Sequence, residues 1–401
     1  MKILLATFWV IPHVGGVWNY MQQLKKKLES FGHEVDLLGY GEDTNYVHIV
    51  NENRRSGFIK DKQSKQPHPS FYANSVVKHY ENQRNGYEIG VAFLGLEKYD
   101  LIHTQDVLST TCINRIRPKG IPLVATLHGS VAHELKDFVT NVQISPTSKL
   151  ACEYFDELEY EGATSAEITI VANEWLKNIL INEFHVPNEQ IKILHYGYDI
   201  EGFLKRMKEK SPIQPPANKK VILYAGRLAE LKGVHHLIFA LSKLKKIRND
   251  WVCWIVGDGP KFEELQTQSE NLGLEKNIVF FGKRNDVPYL LTISDIFVLP
   301  SLLENQPLSV IEAQIAGKPV IVSDVGGLPE MVTHGVTGVL SPVNNPEVLS
   351  IKLSYLLEHD SYRENLGSNA KRWGMTHWSL DKEVSNVLDV YQSAALKKKN
   401  V

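Results

Sequence analysis

Two carboxylates, Glu304 and Glu312, stand around the start of a short helical pattern in "SLLENQPLSVIEAQIAGKPVI", residues 301–321. Pro307 suits a first helical turn, where its fixed φ helps and its missing amide is no loss, and Asn305 or Gln306 is the expected cap. Leu308, Ile311 and Ile315 then share one face, Gly317 ends the helix, and "KPVIVSD" follows as a strand. Glu304 falls in the loop before the helix and Glu312 on its second turn. The amides of Leu308 and Ser309 lack intrahelical partners, so this helix start could hold an anion. Packing asks for neither carboxylate. Both also suit the positive end of a helix dipole in water, and on this segment alone that plainer reading stands ahead.

Other residues capable of chemistry stand where apolar runs end. In "GRLAELKGVHHL", residues 226–237, Arg227 and Lys232 flank a short loop before a new helix, a fork of donors and a point charge suited to a diphosphate. A solvated charged loop is the alternative. In "ATLHGS", His128 follows a buried run at a position where catalysis and capping weigh evenly. His103 and Asp106 in "IHTQD" are weaker candidates, and the adjacent His235 and His236 lack metal-ligand spacing and read as structural. Gly15 and Gly16 in "WVIPHVGGVWNY" permit close backbone approach before a helix. The full G-x-G-x-x-G fingerprint is absent, and a tight turn is an equal reading.

The elements that must position these residues alternate regularly. Strand-length apolar runs at "KILLATF", "HEVDLLGY", "DLIHT", "IPLVATLH", "EITIVAN", "VILYAGR", "WVCWIVGDG", "IVFFGK", "IFVLPS" and "KPVIVSD" are separated by stretches of helical spacing, such as Trp18, Met21, Leu24 and Leu28. Strands apolar throughout indicate parallel sheets covered on both faces, so the class is α/β, doubly wound. The pattern restarts after the charged, proline-rich "KRMKEKSPIQPPANKK". The expected division is therefore a domain over 1–204, a linker over 205–220, a second domain over 221–376, and a last helical segment, 377–401, able to pack on either. Two such domains would face a cleft beyond the carboxyl ends of their strands.

Whole-chain properties narrow the partners. At 401 residues the chain is long enough for two cores, and a formal net charge of -2 gives no general pull toward nucleic acid or membrane. Three cysteines without CxxC spacing fit a reducing cytoplasm. The opening "MKILLATFWV" is too short for a span and reads as a buried strand.

Taken in order, "GG" after the first strand, "GRLAELKG", "GDGP", "FFGKRNDVPYLLTISDIFVLPS", "ENQPLSVIEAQIAGKPVIVSDVGGLPEMV" and "GVTGVL" resemble retaining GT-B glycosyltransferases of the GT4 type. The resemblance spans nearly the whole chain and is strongest over 221–343. It implies the GT-B fold, two Rossmann-like domains, and transfer of a sugar from a nucleotide sugar to a hydroxyl. In the family's E-x7-E pair the residue matching Glu312 binds ribose, and that matching Glu304 lies near the donor sugar. Arg227 and Lys232 match the diphosphate pair, Gly16 with its neighbour Gly15 the phosphate-contacting glycine, and His128 the histidine of the sugar pocket. Backbone around Lys283 and Arg284 matches the base-binding segment. Asn305, Gln306, Leu308 and Ser309 complete the implied donor site.

The implied reaction retains configuration at the anomeric carbon and needs no metal, since Arg227, Lys232 and the helix start would stabilise the departing diphosphate. The chain has no Asp-x-Asp. A UDP-sugar is the expected donor, no cofactor is expected, and the acceptor would be a glycan, a lipid-linked molecule or a small molecule in bacterial cell-surface polysaccharide, glycoconjugate or glycolipid synthesis. Asn305 and Gln306 replace a Gly-Phe type pair, and "HYGYD", residues 195–199, places Tyr196 where many relatives have asparagine. Acceptor recognition falls to the first domain, where Trp9, Trp18, Arg54, Arg55, Phe58 and Lys60 could meet a glycan or a membrane surface, although core aromatics and a solvated loop explain them more simply. A cytoplasmic enzyme peripheral to the inner membrane face is the corresponding location. A nucleotide-sugar epimerase of the same architecture is the alternative; a dehydrogenase and a noncatalytic binding protein rank behind it.

Overall fold

All ten apolar runs read from the sequence are strands. In a computed structural model of the chain, residues 1–12, 15–50, 54–56 and 72–399 are described. Met1–Tyr196 and Asp381–Val401 make one unit, Gly197–Leu380 the other. The first carries β1 (Lys2–Val10), β2 (Glu34–Tyr40), β3 (Val47–Ile49), β4 (Arg54–Arg55), β5 (Leu101–Thr104), β6 (Leu123–Leu127), β7 (Ile168–Val171) and β8 (Ile191–Ile193). Their order is β4-β3-β2-β1-β5-β6-β7-β8, parallel except for the β3 and β4 pairings. The second carries β9 (Lys220–Ala225), β10 (Trp251–Val256), β11 (Ile278–Gly282), β12 (Ile296–Leu299), β13 (Val320–Ser323) and β14 (Gly338–Ser341), wholly parallel in the order β11-β10-β9-β12-β13-β14.

Each sheet reverses its winding once, between β1 and β5 in the first and between β9 and β12 in the second. Outside the carboxyl ends of such a switch point, the loops diverge and leave a crevice for a ligand. Central strands are apolar on both faces because helices cover both: Ile3, Leu4 and Leu5 of β1 and Val221, Ile222 and Leu223 of β9 are fully buried.

The domain division expected from the sequence is corrected at both crossings. The helix Ile200–Arg206 belongs to the second unit, with Phe203 fully buried in that core and Ile200, Leu204 and Met207 packed against it. These residues recur at three- and four-residue spacing, and the charged stretch after them hides the pattern. Trp378 also lies in the second core, so the return crossing falls at Leu380 and Asp381. The final helix, Leu380–Lys399, joins the first unit, where Tyr391 Oη meets His103 Nδ1 at 2.8 Å and Lys398 Nζ meets Glu167 at 3.2 Å.

The aromatic and basic residues considered for acceptor or membrane contact divide. Trp18 is buried on the helix Gly16–Ser30, Trp9 is half-buried with its ring edge-on to Phe8, and Arg55 is exposed over the Tyr46 ring. Phe58, Lys60 and the Arg54 side chain lie outside the described residues. Among the described residues no helix is long and apolar enough to cross a membrane.

Candidate active site

In the second unit, the loops leaving the strand ends are tied to one another through backbone. Beside the β9 loop, Gly257 donates to Gly282 O at 2.9 Å, Gly226 donates to Val256 O at 3.0 Å, and Leu228 donates to Asp258 O at 2.9 Å. Gly257, at φ +140°, lies so close to Gly226 that an added Cβ would stand 1.8 Å from its carbonyl oxygen. On the other side, Leu302 donates to Leu231 O at 2.8 Å, and a Cβ on Gly233, at φ +62°, would stand 2.0 Å from Pro300 O. Only glycine permits approaches this close, so "GDGP" and the Gly before the helix Val234–Lys245 fix where Arg227 and Lys232 sit.

Lys232 and Glu304 come together across these loops, with Nζ 2.5 Å from Oε1. Ser301 Oγ donates to the same Oε1 at 2.9 Å, and Glu304 is buried. The Glu304 backbone is gripped in turn: its carbonyl accepts from Gly327 N at 3.0 Å, and Gly326 passes beneath it in a left-handed conformation. The Arg227 guanidinium is exposed and has no ion pair among the described residues. Lys283 is exposed just past β11, whereas Arg284 is forked onto Asp286 at 2.7 and 2.6 Å over the Phe281 ring. The charge of Arg284 is therefore committed within the chain.

The helix Leu308–Ile315 starts after Pro307, which occupies the cap position itself. The expectation that Asn305 or Gln306 is the cap is corrected: the cap is Pro307, and among the described residues no side-chain cap hydrogen bond is made there. Asn305 is half-buried and Gln306 buried in the loop. The Leu308 and Ser309 amides open the first turn, which carries no acidic residue. Gln314 sets the helix's rotation, being fully buried with Trp378 Nε1 donating to its Oε1 at 2.6 Å and its Nε2 donating to Met331 O at 2.8 Å. Glu312 then meets the Tyr198 hydroxyl, which donates to its Oε1. Burial raises the Glu312 pKa, while Tyr198 and Arg206 oppose the rise.

In the first unit, Gly15 stands at the cap of the helix Gly16–Ser30 with extended backbone and no side-chain cap. A Cβ on Gly16 would meet nothing within 4 Å, so intrachain packing does not itself demand glycine there. His128 follows β6 and is held at both ring nitrogens, Nδ1 2.6 Å from Tyr196 Oη and Nε2 3.0 Å from Gln105 Oε1. Tyr20 stands edge-on to it, with centroids 5.0 Å apart, and its own hydroxyl is hydrogen-bonded to Glu383 of the final helix. Desolvation lowers the imidazole pKa to about 3, so it is neutral. With Gln105 Oε1 accepting, the ring carries its proton on Nε2 and accepts the Tyr196 hydroxyl at Nδ1. His103 is buried between Tyr391 and Thr126, and Asp106 caps the helix Val107–Ile116, so both are structural.

The sequence did not single out Tyr198, Arg206, Ser301 or Gln105 as partners of the site residues. Departure of "HYGYD" from the common pattern was the available signal for the tyrosines.

Comparison with known proteins resolves the family. Residues 205–373 match the model of glycosyl transferases group 1, and residues 14–201 that of glycosyltransferase family 4. The chain belongs to the family 4 glycosyltransferases. It is 30% identical over 286 residues to a D-inositol 3-phosphate glycosyltransferase of Corynebacterium glutamicum, covering 68% of this chain and 67% of that one. It is 28% identical to the Escherichia coli UDP-Gal:alpha-D-GlcNAc-diphosphoundecaprenol alpha-1,3-galactosyltransferase, covering 97% of each. Among solved structures, Anabaena Alr3699/HepE in complex with UDP matches with a TM-score of 0.68 and 20% identity, covering 98% of this chain and 100% of that one. This glycosyltransferase accordingly has the GT-B fold.

Proposed function

We propose that this enzyme is a retaining, metal-independent glycosyltransferase that moves a sugar from a UDP-sugar to a hydroxyl of a glycan, a lipid-linked molecule or a small molecule in bacterial cell-surface polysaccharide, glycoconjugate or glycolipid synthesis. The observation that carries the reading is the Lys232–Glu304 pair on loops clamped at the β9/β12 switch point, the β9 loop also bearing Arg227, which has no ion pair among the described residues. The names of the E. coli relative and the Anabaena complex support a uridine donor.

In this reading Glu312 accepts from the ribose hydroxyls, and backbone around Lys283 and Arg284 borders the base. Gly15 and Gly16 admit the diphosphate to the amides of their helix. Arg227, Lys232 and the amides of Leu308 and Ser309 stabilise negative charge as the anomeric C–O bond breaks. Glu304, its Oε1 held by Lys232 and Ser301, favours the positive charge developing on the sugar. Asn305 and Gln306 border its hydroxyls. The departing phosphate oxygen accepts the acceptor hydroxyl's proton as that oxygen attacks the same face, so configuration is kept with no covalent nucleophile. His128, neutral, donates from Nε2 to a sugar hydroxyl after exchanging Gln105 for it.

Calorimetric titration with UDP, GDP and ADP tests the donor site. UDP should bind equally with and without EDTA, and Glu312→Ala should weaken it at least about tenfold. Equal binding by wild type and variant would sink the assignment, and conversion of a lone donor to its epimer would replace transferase by epimerase. A lipid-linked acceptor would bring this cytoplasmic enzyme to the inner membrane face. Failure to co-sediment with anionic liposomes at low salt would remove that element.

A further inference from the structure

The "HYGYD" segment departs from the family pattern, and its second tyrosine meets the carboxylate assigned to ribose. Tyr198 is 4% exposed, its hydroxyl donates to Glu312 Oε1, and Arg206 Nη2 reaches the same hydroxyl at 3.4 Å. Neither partner is loosely held. The Tyr198 amide donates to Trp378 O at 2.9 Å, its ring stands edge-on to Phe203 at 5.6 Å, and Gln314 locks the helix carrying Glu312. Among the described residues Glu312 Oε2 carries no hydrogen bond.

We propose that Tyr198, backed by Arg206, is a positioning residue for nucleotide recognition: it holds Glu312 ionised and turned so that Oε2 faces the ribose hydroxyls. The inference rests on the nucleotide reading of Glu312. A half-buried carboxylate accepts strongly from a diol only while charged, and desolvation works against that charge. The Tyr198 hydroxyl supplies a hydrogen bond to the charged form and Arg206 an opposite charge. The strands β12 and β13 packed on this helix carry no titratable side chain, and on the helix Asp360–His377 packed beside it, Lys371 lies against Gly317 and Gly374 against Gln314 rather than Glu312. Phenylalanine at 198 would keep the ring packing and remove that support, so the Glu312 pKa rises and nucleotide affinity is lost from a higher pH.

UDP titrations of the full chain at about pH 5.5, 6.5, 7.5 and 8.5 should show Tyr198→Phe within about threefold of wild type at the alkaline end and about tenfold weaker at the acid end. Comparing variant with wild type cancels the ionisation of UDP itself. Arg206→Gln should shift in the same direction, which guards against a folding defect peculiar to one variant. In a Glu312→Gln background, Tyr198→Phe should change affinity less than about twofold, whereas a merely structural tyrosine would act equally in both backgrounds. A Tyr198→Phe ratio flat with pH, beside an impaired Glu312→Gln, overturns the role of Tyr198 alone. Undiminished UDP binding by Glu312→Gln, or none by wild type, overturns the ribose site and this proposal with it.

Discussion

Glu159 gives a pH dependence that can be worked through. It lies on the helix Ser148–Thr164, fully buried, where Oε2 accepts the Ala132 amide at 2.8 Å and Oε1 has no partner. It thereby anchors the first turn of the helix Val131–Asp137, which begins just after His128. Burial pushes its pKa up to about 8 from 4.5, overriding the help of Ala132 and Ser130. A raised folded-state pKa contributes stability below the unfolded value that is lost as pH climbs through the folded one. Between these values the folded chain holds one more proton than the unfolded, so stability falls by about 1.4 kcal/mol per pH unit. Integrated from about pH 6 to pH 9, the loss is roughly 2–3 kcal/mol. For a unit of this size that corresponds to about 5–10 °C in Tm. Glu159→Gln keeps an acceptor for Ala132 and cannot ionise, so the wild-type Tm should fall relative to that of the variant as pH rises, the other groups titrating alike in both. Thermal unfolding of both by circular dichroism at matched ionic strength reads this directly. A wild-type minus variant difference that does not change with pH would refute the reasoning.

Two further outcomes test the loops. Gly326→Ala puts a Cβ 2.0 Å from the Glu304 carbonyl oxygen at a left-handed residue, so steady-state assays should find turnover down about 100-fold from displaced Glu304, and unchanged turnover would show that this approach does not set Glu304. His128→Ala should lower kcat about 100-fold with UDP affinity nearly unchanged, and since the imidazole is already neutral with a pKa of about 3, no limb of the wild-type kcat profile between about pH 5 and 8 should vanish in the variant; a vanished limb would refute the neutral assignment.

The fold was legible wherever burial imposed a pattern. Every strand with enough consecutive apolar residues stood out, because a sheet covered on both faces tolerates nothing else. The short β3, β4 and β8 carry too few residues to show a period, and β14 has only Val339 and Leu340 as large apolar residues, between Gly338 and Ser341. Helix Ile200–Arg206 was hidden for a different reason: its apolar face is one turn of pattern running into a charged tail, and only the core containing Phe203 shows which unit claims it.

For the site, sequence alone delivered residue types and order: Arg227 and Lys232 after one strand, Glu304 before a helix, Glu312 upon it, and the glycines between. Those follow from local rules of loops and helix starts, which act over a few residues. Which side chains touch is decided by elements far apart in the chain. Glu304 finds Lys232 because glycines let two loops interlock, and Glu312 finds Tyr198 because Gln314 and Trp378 fix the rotation of its helix. Charge state was likewise set by tertiary structure: a histidine is neutral and a glutamate holds its proton only once the fold has removed water from them.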